Sequence, residues 1–167
     1  MLQLDYIRLE EVKMLFVFFA FLGISVGAID ASYFSKVNTI ADFSSKMLLW
    51  EVVIGVGFLG ITAFVGHALK SEKIAKYIGW ESNGFQKELG FSELGLGIVA
   101  FMSLWGSSEY NNSAIIMCCT LCVGASYVRI VDLTKNKNFV RGNVISLLPD
   151  LFIPISLIVL KILSCMV

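Results

Sequence analysis

Long apolar runs separated by short polar segments recur along the whole chain. A helix needs roughly 20 apolar residues to cross the hydrocarbon core of a bilayer, and the runs approach that length. The pattern therefore predicts an all-α membrane protein, a bundle of about five transmembrane helices forming a single integral membrane domain over residues 1–167. The predicted spans cover about residues 14–34, 47–69, 85–106, 113–133 and 144–166.

The third predicted span is the least regular, because its purely apolar part, residues 91–105, is short for a crossing. We expect its helix to begin earlier, near Asn83, where an Asn followed three residues later by a Gln resembles a helix-capping pair. On a continuous helix one face would collect small and polar side chains: Gln86, Gly90, Glu93 and Gly97. This face should point into the bundle, since an ionised side chain that faces lipid is costly.

Positive charges are distributed unevenly between the two predicted sides of the membrane. The N-terminal segment with Arg8 and Lys13, the connection 70–90 and the segment 129–141 contain most of the lysines and arginines. Short loops rich in Lys and Arg stay in the cytoplasm. We therefore expect a cytoplasmic N-terminus and, with an odd number of spans, a C-terminus on the opposite side.

Composition supports the membrane assignment and limits the classes of binding partner that the sequence predicts. The chain is 57% hydrophobic and 16% charged, with a mean hydropathy of +0.80, whereas soluble domains carry about 25% charged residues. Its net charge of zero gives no reason to expect nucleic acid, so the lipid bilayer is the predicted partner. Glycines along the second span favour close helix packing, either within one chain or in a homo-oligomer.

Ionisable and polar side chains inside the predicted spans fall into two layers. The inner, cytoplasmic layer supplies the candidates for a ligand or proton site: His67, Gln86, Glu88, Glu93, Arg129 and Asp150, with Asp132 in the same half. The outer layer contains Asp30 and Glu51. Glu51 and His67 lie sixteen residues apart on one predicted helix, about 24 Å, so they cannot share a ligand.

Two interpretations of the inner layer stay open. It could form a site for a small ligand or a proton, because ionisable groups inside a membrane are usually functional. It could also be a structural network, in which Arg129 or Lys87 neutralises the carboxylates and His67 binds a backbone carbonyl. The sequence contains no HxxxH or ExxH pair, so no metal site is predicted, and the cofactor stays unknown.

A Cys-Cys-x-x-Cys motif, formed by Cys118, Cys119 and Cys122, lies in the fourth predicted span. The motif resembles a redox centre, but in mid-span its thiols are remote from aqueous thiol pools. Cys118 and Cys122 share a helix face, where small side chains favour packing. Packing is therefore the favoured interpretation, and thiol redox chemistry is the alternative.

Several segments resemble one uncharacterised family of small bacterial multi-pass membrane proteins. The residues that carry the resemblance run from Gly66 to Gly97 and are Gly66-His67, Ile78-Gly79-Trp80, Ser82, Phe85-Gln86, Glu88, Gly90, Leu94-Gly95 and Gly97. The segments 135–143 and 150–155 are similar to the closing region of that family. More loosely, the arrangement is similar to the DoxX-like group of helical membrane proteins, although Arg129 stands where a His is expected.

This resemblance implies a fold and a location rather than an activity. The implied fold is a four-helix DoxX-like core plus one further helix, and the implied location is the bacterial inner (plasma) membrane. For function, it implies at most an association with membrane redox or quinone chemistry.

The favoured hypothesis is an accessory membrane protein rather than an enzyme. It would bind a small amphipathic ligand, such as a quinone or a lipid head group, in a polar pocket that opens to the cytoplasmic side. The pocket would be lined by His67, Gln86, Glu88, Glu93 and Asp150. A proton- or ion-coupled small transporter, with Asp30 and Glu51 as its outer station, is the alternative. A membrane thiol/quinone redox protein is the second alternative.

Overall fold

The computed structural model describes residues 2–106 and 108–166, and for residues 2–14 it describes the backbone alone. Over these ranges the chain is helical and contains no strand, which confirms the all-α prediction. The side chains of the N-terminal segment, which is mixed in charge and includes Arg8 and Lys13, lie outside the described part.

The described residues form seven α-helices joined by short connections. They are α1 (Leu2–Ile29), α2 (Ile40–Trp50), α3 (Gly57–Phe64), α4 (Ser71–Ile78), α5 (Gly84–Met102), α6 (Ser108–Lys135) and α7 (Arg141–Ser164). Three π-helical segments extend them: Asp30–Phe34 follows α1, Glu51–Val56 joins α2 to α3, and Val65–Leu69 follows α3. Residues 40–69 consequently make one long helical run, with a π-helical segment at Glu51 and another around His67.

Four of the described helical segments are long and apolar enough to cross a membrane. They are Leu15–Phe34, Ile40–Leu69, Ser108–Lys135 and Arg141–Ser164, each with a mean hydropathy of 2.0 or 2.1. These segments indicate an integral membrane protein. Helix α5 is not among these four segments, because its 19 residues include three charged side chains, those of Lys87, Glu88 and Glu93. A fifth crossing by α5 and the cytoplasmic N-terminus therefore stay predictions.

Helices α3 and α5 cross where two glycines meet. A Cβ atom built on Gly60 would lie 2.5 Å from the carbonyl oxygen of Glu93 and 2.6 Å from the amide nitrogen of Gly97. Both neighbours are backbone atoms, so the two helices can touch at this level only because neither position carries a side chain. This contact fixes the height of Glu93 relative to the π-helical segment that follows α3.

Helix α5 begins where the sequence predicts. The side chain of Asn83 caps it by accepting a hydrogen bond from the backbone N–H of Gln86, at 3.0 Å. The helix runs unbroken through Gly90, which is buried against Ala68. Glu93 faces inward on the same side, so the predicted inward face is confirmed.

The hydrophobic core is shared by α1, α2, α3, α5, α6 and α7, and helix α4 packs at one end of the bundle. Its largest buried members include Leu48, Val52, Val56, Leu96, Ile153 and Leu157. Because this core fills the middle of the bundle, the polar side chains of the inner layer are confined to the end that carries α4.

Candidate ligand-binding cavity

The connection between α4 and α5 turns sharply at Gly79. This residue has a φ of 77°, in the left-handed region, and the N–H of Trp80 donates back to the carbonyl of Ala75 at 2.8 Å. This geometry is a common way for a helix to end, and glycine adopts it without steric cost. A Cβ at Gly79 would also lie 2.8 Å from Oδ1 of Asn138. The glycine thus ends the helix, and its lack of a side chain lets Asn138 approach the backbone at the same point.

Asp132, near the end of α6, binds the donors that surround this turn. Its Oδ2 accepts hydrogen bonds from Trp80 Nε1 at 2.7 Å, Asn138 Nδ2 at 2.6 Å and Asn143 Nδ2 at 3.1 Å. Its Oδ1 accepts from Asn136 Nδ2 at 2.8 Å. Asp132 is 9% exposed. One carboxylate therefore ties together the α4–α5 turn, the end of α6 and the start of α7.

The role of Asp132 was missed by sequence reasoning, which placed it in the cytoplasmic half without a partner. A signal was present, because the I-G-W segment and the Asn-rich segment 135–143 are both among the segments on which the family resemblance was based. The two meet in space at this carboxylate.

A buried ion pair lies beside this cluster. Arg129 Nε donates to Asp150 Oδ2 at 2.8 Å, and Arg129 Nη1 donates to Asn143 Oδ1 at 3.4 Å. The guanidinium carbon lies 5.7 Å from the centre of the Trp80 ring. Arg129 itself is 5% exposed. The neutralisation of Asp150 by Arg129, one feature of the structural-network interpretation, is present.

A second pair links the π-helical segment after α3 to α5. His67 Nδ1 lies 2.7 Å from Glu93 Oε2, so the ring binds a carboxylate and not the backbone carbonyl that the network interpretation required. Nearby, Gln86 Nε2 donates to the carbonyl of Ser71 at 3.1 Å. The π-helical segment includes position 67, and such irregular turns are frequent at functional sites.

A cavity of about 470 Å³ lies next to both pairs. Its polar end is formed by His67, Gln86, Glu93, Arg129 and Asp150, with Trp80, Glu81 and Asn83 at the rim. Its wall is apolar and includes Phe16, Leu59, Ala63, Leu96, Leu121 and Val128. The cavity thus has one charged end and a long hydrocarbon-like wall.

Glu88 does not line the cavity, and the expectation that it does is corrected. Its side chain is exposed, as is that of Lys87. Two residues after Gln86, position 88 is rotated about 200° around the helix, which takes it off the inward face.

The cavity is open on one side of the bundle. On α6, Thr120, Gly124 and Val128 line it and are also exposed, and they follow one another at intervals of one helical turn. On α5, Phe85 and Leu89 line it and are exposed in the same manner. The opening is therefore a lateral groove between α5 and α6.

The cysteine motif lies beside the cavity. Cys118 and Cys122 line it, with their Sγ atoms 4.0 Å apart. They are buried, Cys119 is half-buried, and all are free thiols. Among the described residues, no three His, Cys, Asp or Glu side chains are grouped so that they could hold a metal ion.

The outer layer is separate from the cavity. Asp30 accepts from Trp50 Nε1 at 3.0 Å and lies 3.4 Å from Lys46 Nζ. Glu51 is completely buried, and the hydroxyl of Ser156 donates to its Oε1. Its other oxygen, Oε2, has no hydrogen-bond partner among the described residues.

Apolar helices of membrane-crossing length, together with a cavity that is polar at one end, define the chain as a helical integral membrane protein. More particularly, it belongs to DUF6790, a family of unknown function whose model matches residues 12–166. The predicted membership of an uncharacterised family is confirmed, while the kinship with the DoxX-like group stays a prediction. No curated protein and no solved structure matches the chain.

Proposed function

We propose that the protein is a non-enzymatic inner-membrane protein that binds a small amphipathic ligand, such as a quinone or a lipid, in the cavity. The observation that supports this most is the cavity itself, whose volume of about 470 Å³ is typical of small-molecule sites. Its apolar wall suits a hydrocarbon body, and its charged end suits a polar head.

The lateral groove suggests how such a ligand enters. In this proposal α5 crosses the membrane as a fifth span, because its 19 residues rise about 28 Å, close to the hydrocarbon thickness. The groove between α5 and α6 would then face lipid, and a ligand would enter from the bilayer without passing through water. The exposed Lys70, Lys76, Lys135 and Lys137 share the end of the bundle that bears the cavity's polar residues, which supports a cytoplasmic position for that end.

The two ion pairs alone would also fit a purely structural network. What favours binding is the empty space beside them, since a structural network in a well-packed interior is closed over by side chains. His67 and Glu93 both line the cavity, and their side chains retain exposures of 15% and 12%.

Filling the groove tests the proposal. A Cβ on Gly124 would meet nothing within 4 Å, so Gly124→Leu should fit the fold while occupying the groove. We expect a specifically bound lipid or quinone to co-purify with the parent protein in mild detergent. Its retention, measured by mass spectrometry, should fall roughly tenfold in this variant, which corresponds to about 1.4 kcal/mol of binding energy.

Gly95→Leu is the matched control. Gly95 also has open space around its Cβ and lies mid-helix, but it does not line the cavity. Retention of the ligand should be unchanged there. Equal retention in both variants, or no specifically retained molecule in the parent protein, would contradict the proposal.

Proton-coupled transport is the second candidate, and Glu51 favours it. A wholly buried carboxyl group with one oxygen unpartnered among the described residues is a group that can accept and release a proton inside a membrane. Its neighbour Trp50 donates to Asp30, so Glu51 and Asp30 together would form the outer station of the route, and the cavity would form the inner one.

Replacing Glu51 by Gln tests this second candidate. The amide keeps an oxygen for the hydroxyl of Ser156 but cannot carry a proton, so folding should be preserved and proton flux into proteoliposomes should fall to background. Asp42→Asn, at an exposed position, is the control and should leave the flux unchanged. Undiminished flux in Glu51→Gln would eliminate the transport function.

A further inference from the structure

We infer that the cavity selects ligands with a positively charged, ammonium-type head over ligands with an anionic head. This inference rests on the proposed binding function and specifies the class of ligand. The observation that carries it is the imbalance of charge around the cavity.

Three carboxylates line the cavity, those of Glu81, Glu93 and Asp150, against one guanidinium, that of Arg129. The remaining ionisable group there, His67, adds at most one further positive charge. The lining is therefore negative whichever form His67 takes. Glu81 lies at the exposed rim, where solvent screens its charge, so the carboxylate that acts at short range beside the apolar wall is that of Glu93.

The one permanent cation is not free to bind an anion. Arg129 already donates to Asp150 and to Asn143, and its guanidinium lies near the face of Trp80. It is also almost fully buried. A phosphate or carboxylate head would therefore meet the carboxylates without an available guanidinium to bind it.

A cation, in contrast, finds two kinds of partner. Glu93 uses Oε2 to bind His67, while no described residue binds its Oε1. The lining also includes the aromatic ring of Phe85, which is exposed, whereas the ring of Trp80 already faces Arg129. Carboxylates and aromatic faces together are the usual means of recognising an ammonium group.

The test uses two probes of nearly equal size and shape and opposite charge, tetraphenylphosphonium and tetraphenylborate. Each is titrated onto the full-length protein in lipid nanodiscs, and binding to empty nanodiscs is subtracted. We expect the cation to bind at least about tenfold more tightly than the anion. Equal affinities, or tighter binding of the anion, would overturn the inference without any variant being needed.

Two variants on α5 test whether the preference for the cation arises in the cavity. Glu93→Gln retains an oxygen for His67 and removes one negative charge, and should weaken binding of the cation about tenfold. Glu88→Gln removes the same charge from an exposed position outside the cavity and should have no effect. A similar loss in both variants would show a general surface effect and refute the site.

A third, neutral probe, decylubiquinone, separates this inference from the proposed function. Binding of the neutral probe that Gly124→Leu abolishes, without preference for the cation, would keep the proposed function and overturn the charge selectivity. Insensitivity of all three probes to Gly124→Leu would overturn both. Nanodiscs with and without phosphatidylethanolamine separate a lipid amine from a free organic cation, since loss of phosphonium binding in that lipid would assign the site to the lipid head group.

Discussion

Replacing Asp132 by Asn is expected to destabilise the protein by about 3 kcal/mol, the cost of disrupting a buried charged group that several donors share. The carboxylate accepts hydrogen bonds from Trp80, Asn136, Asn138 and Asn143. An amide presents one oxygen and one NH2 group. Whichever way it is oriented, the NH2 group would face another donor, so the substitution loses hydrogen bonds and adds a repulsive contact.

The expected loss can be measured by unfolding in detergent, with tryptophan fluorescence as the signal. Asp42→Asn is the control for the chemistry of the change, because Asp42 is exposed and its side chain binds the hydroxyl of Thr39. That variant should alter stability by no more than about 0.5 kcal/mol. An equally small effect of Asp132→Asn would show that the cluster around Asp132 does not hold this end of the bundle together.

A double-mutant cycle identifies the contact with the indole. Trp80→Phe removes one donor, and in that background the cost of Asp132→Asn should be smaller by about 1 kcal/mol. Additive costs would mean that the hydrogen bond between Trp80 and Asp132 contributes nothing to stability.

What the sequence could predict depended on spacing along single helices. The capping of α5 by Asn83 and the inward face that includes Glu93 follow from helical periodicity, and the structure has both. Apolar run length likewise predicted the helices. Glu88 was assigned to the pocket because it lies in the cytoplasmic layer of ionisable side chains, although the same periodicity places it on another face.

The rest of the site depends on contacts between distant segments. Trp80 and Asp132 are 52 residues apart, and no local rule links an indole in a turn to a carboxylate at the end of another helix. The pairing of His67 with Glu93 depends on the point along their axes at which α3 and α5 cross, and close backbone contact determines that point. The π-helical segments around Glu51 and His67 also had no sequence signal. They alter the local hydrogen-bonding pattern within a run whose composition is that of a single apolar helix.

Replacing Gly60 by Ala should separate α3 from α5 and weaken both stability and binding. The added Cβ would lie 2.5 Å from the carbonyl oxygen of Glu93 and 2.7 Å from the Cα of Gly97. Real Cβ atoms do not approach backbone this closely, so one helix must shift. We expect a loss of about 2 kcal/mol, typical of a forced shift in a packed interior.

The same shift should reach the cavity, because Glu93 both receives the collision through its backbone and holds His67 through its side chain. Retention of the bound ligand should therefore fall together with stability in Gly60→Ala. Gly95→Ala, on the same helix as Glu93, meets nothing within 4 Å and should be neutral or stabilising by about 0.5 kcal/mol, since alanine orders a helix at lower entropic cost than glycine. If both variants behave alike in unfolding and in retention, the crossing at Gly60 does not set the position of Glu93.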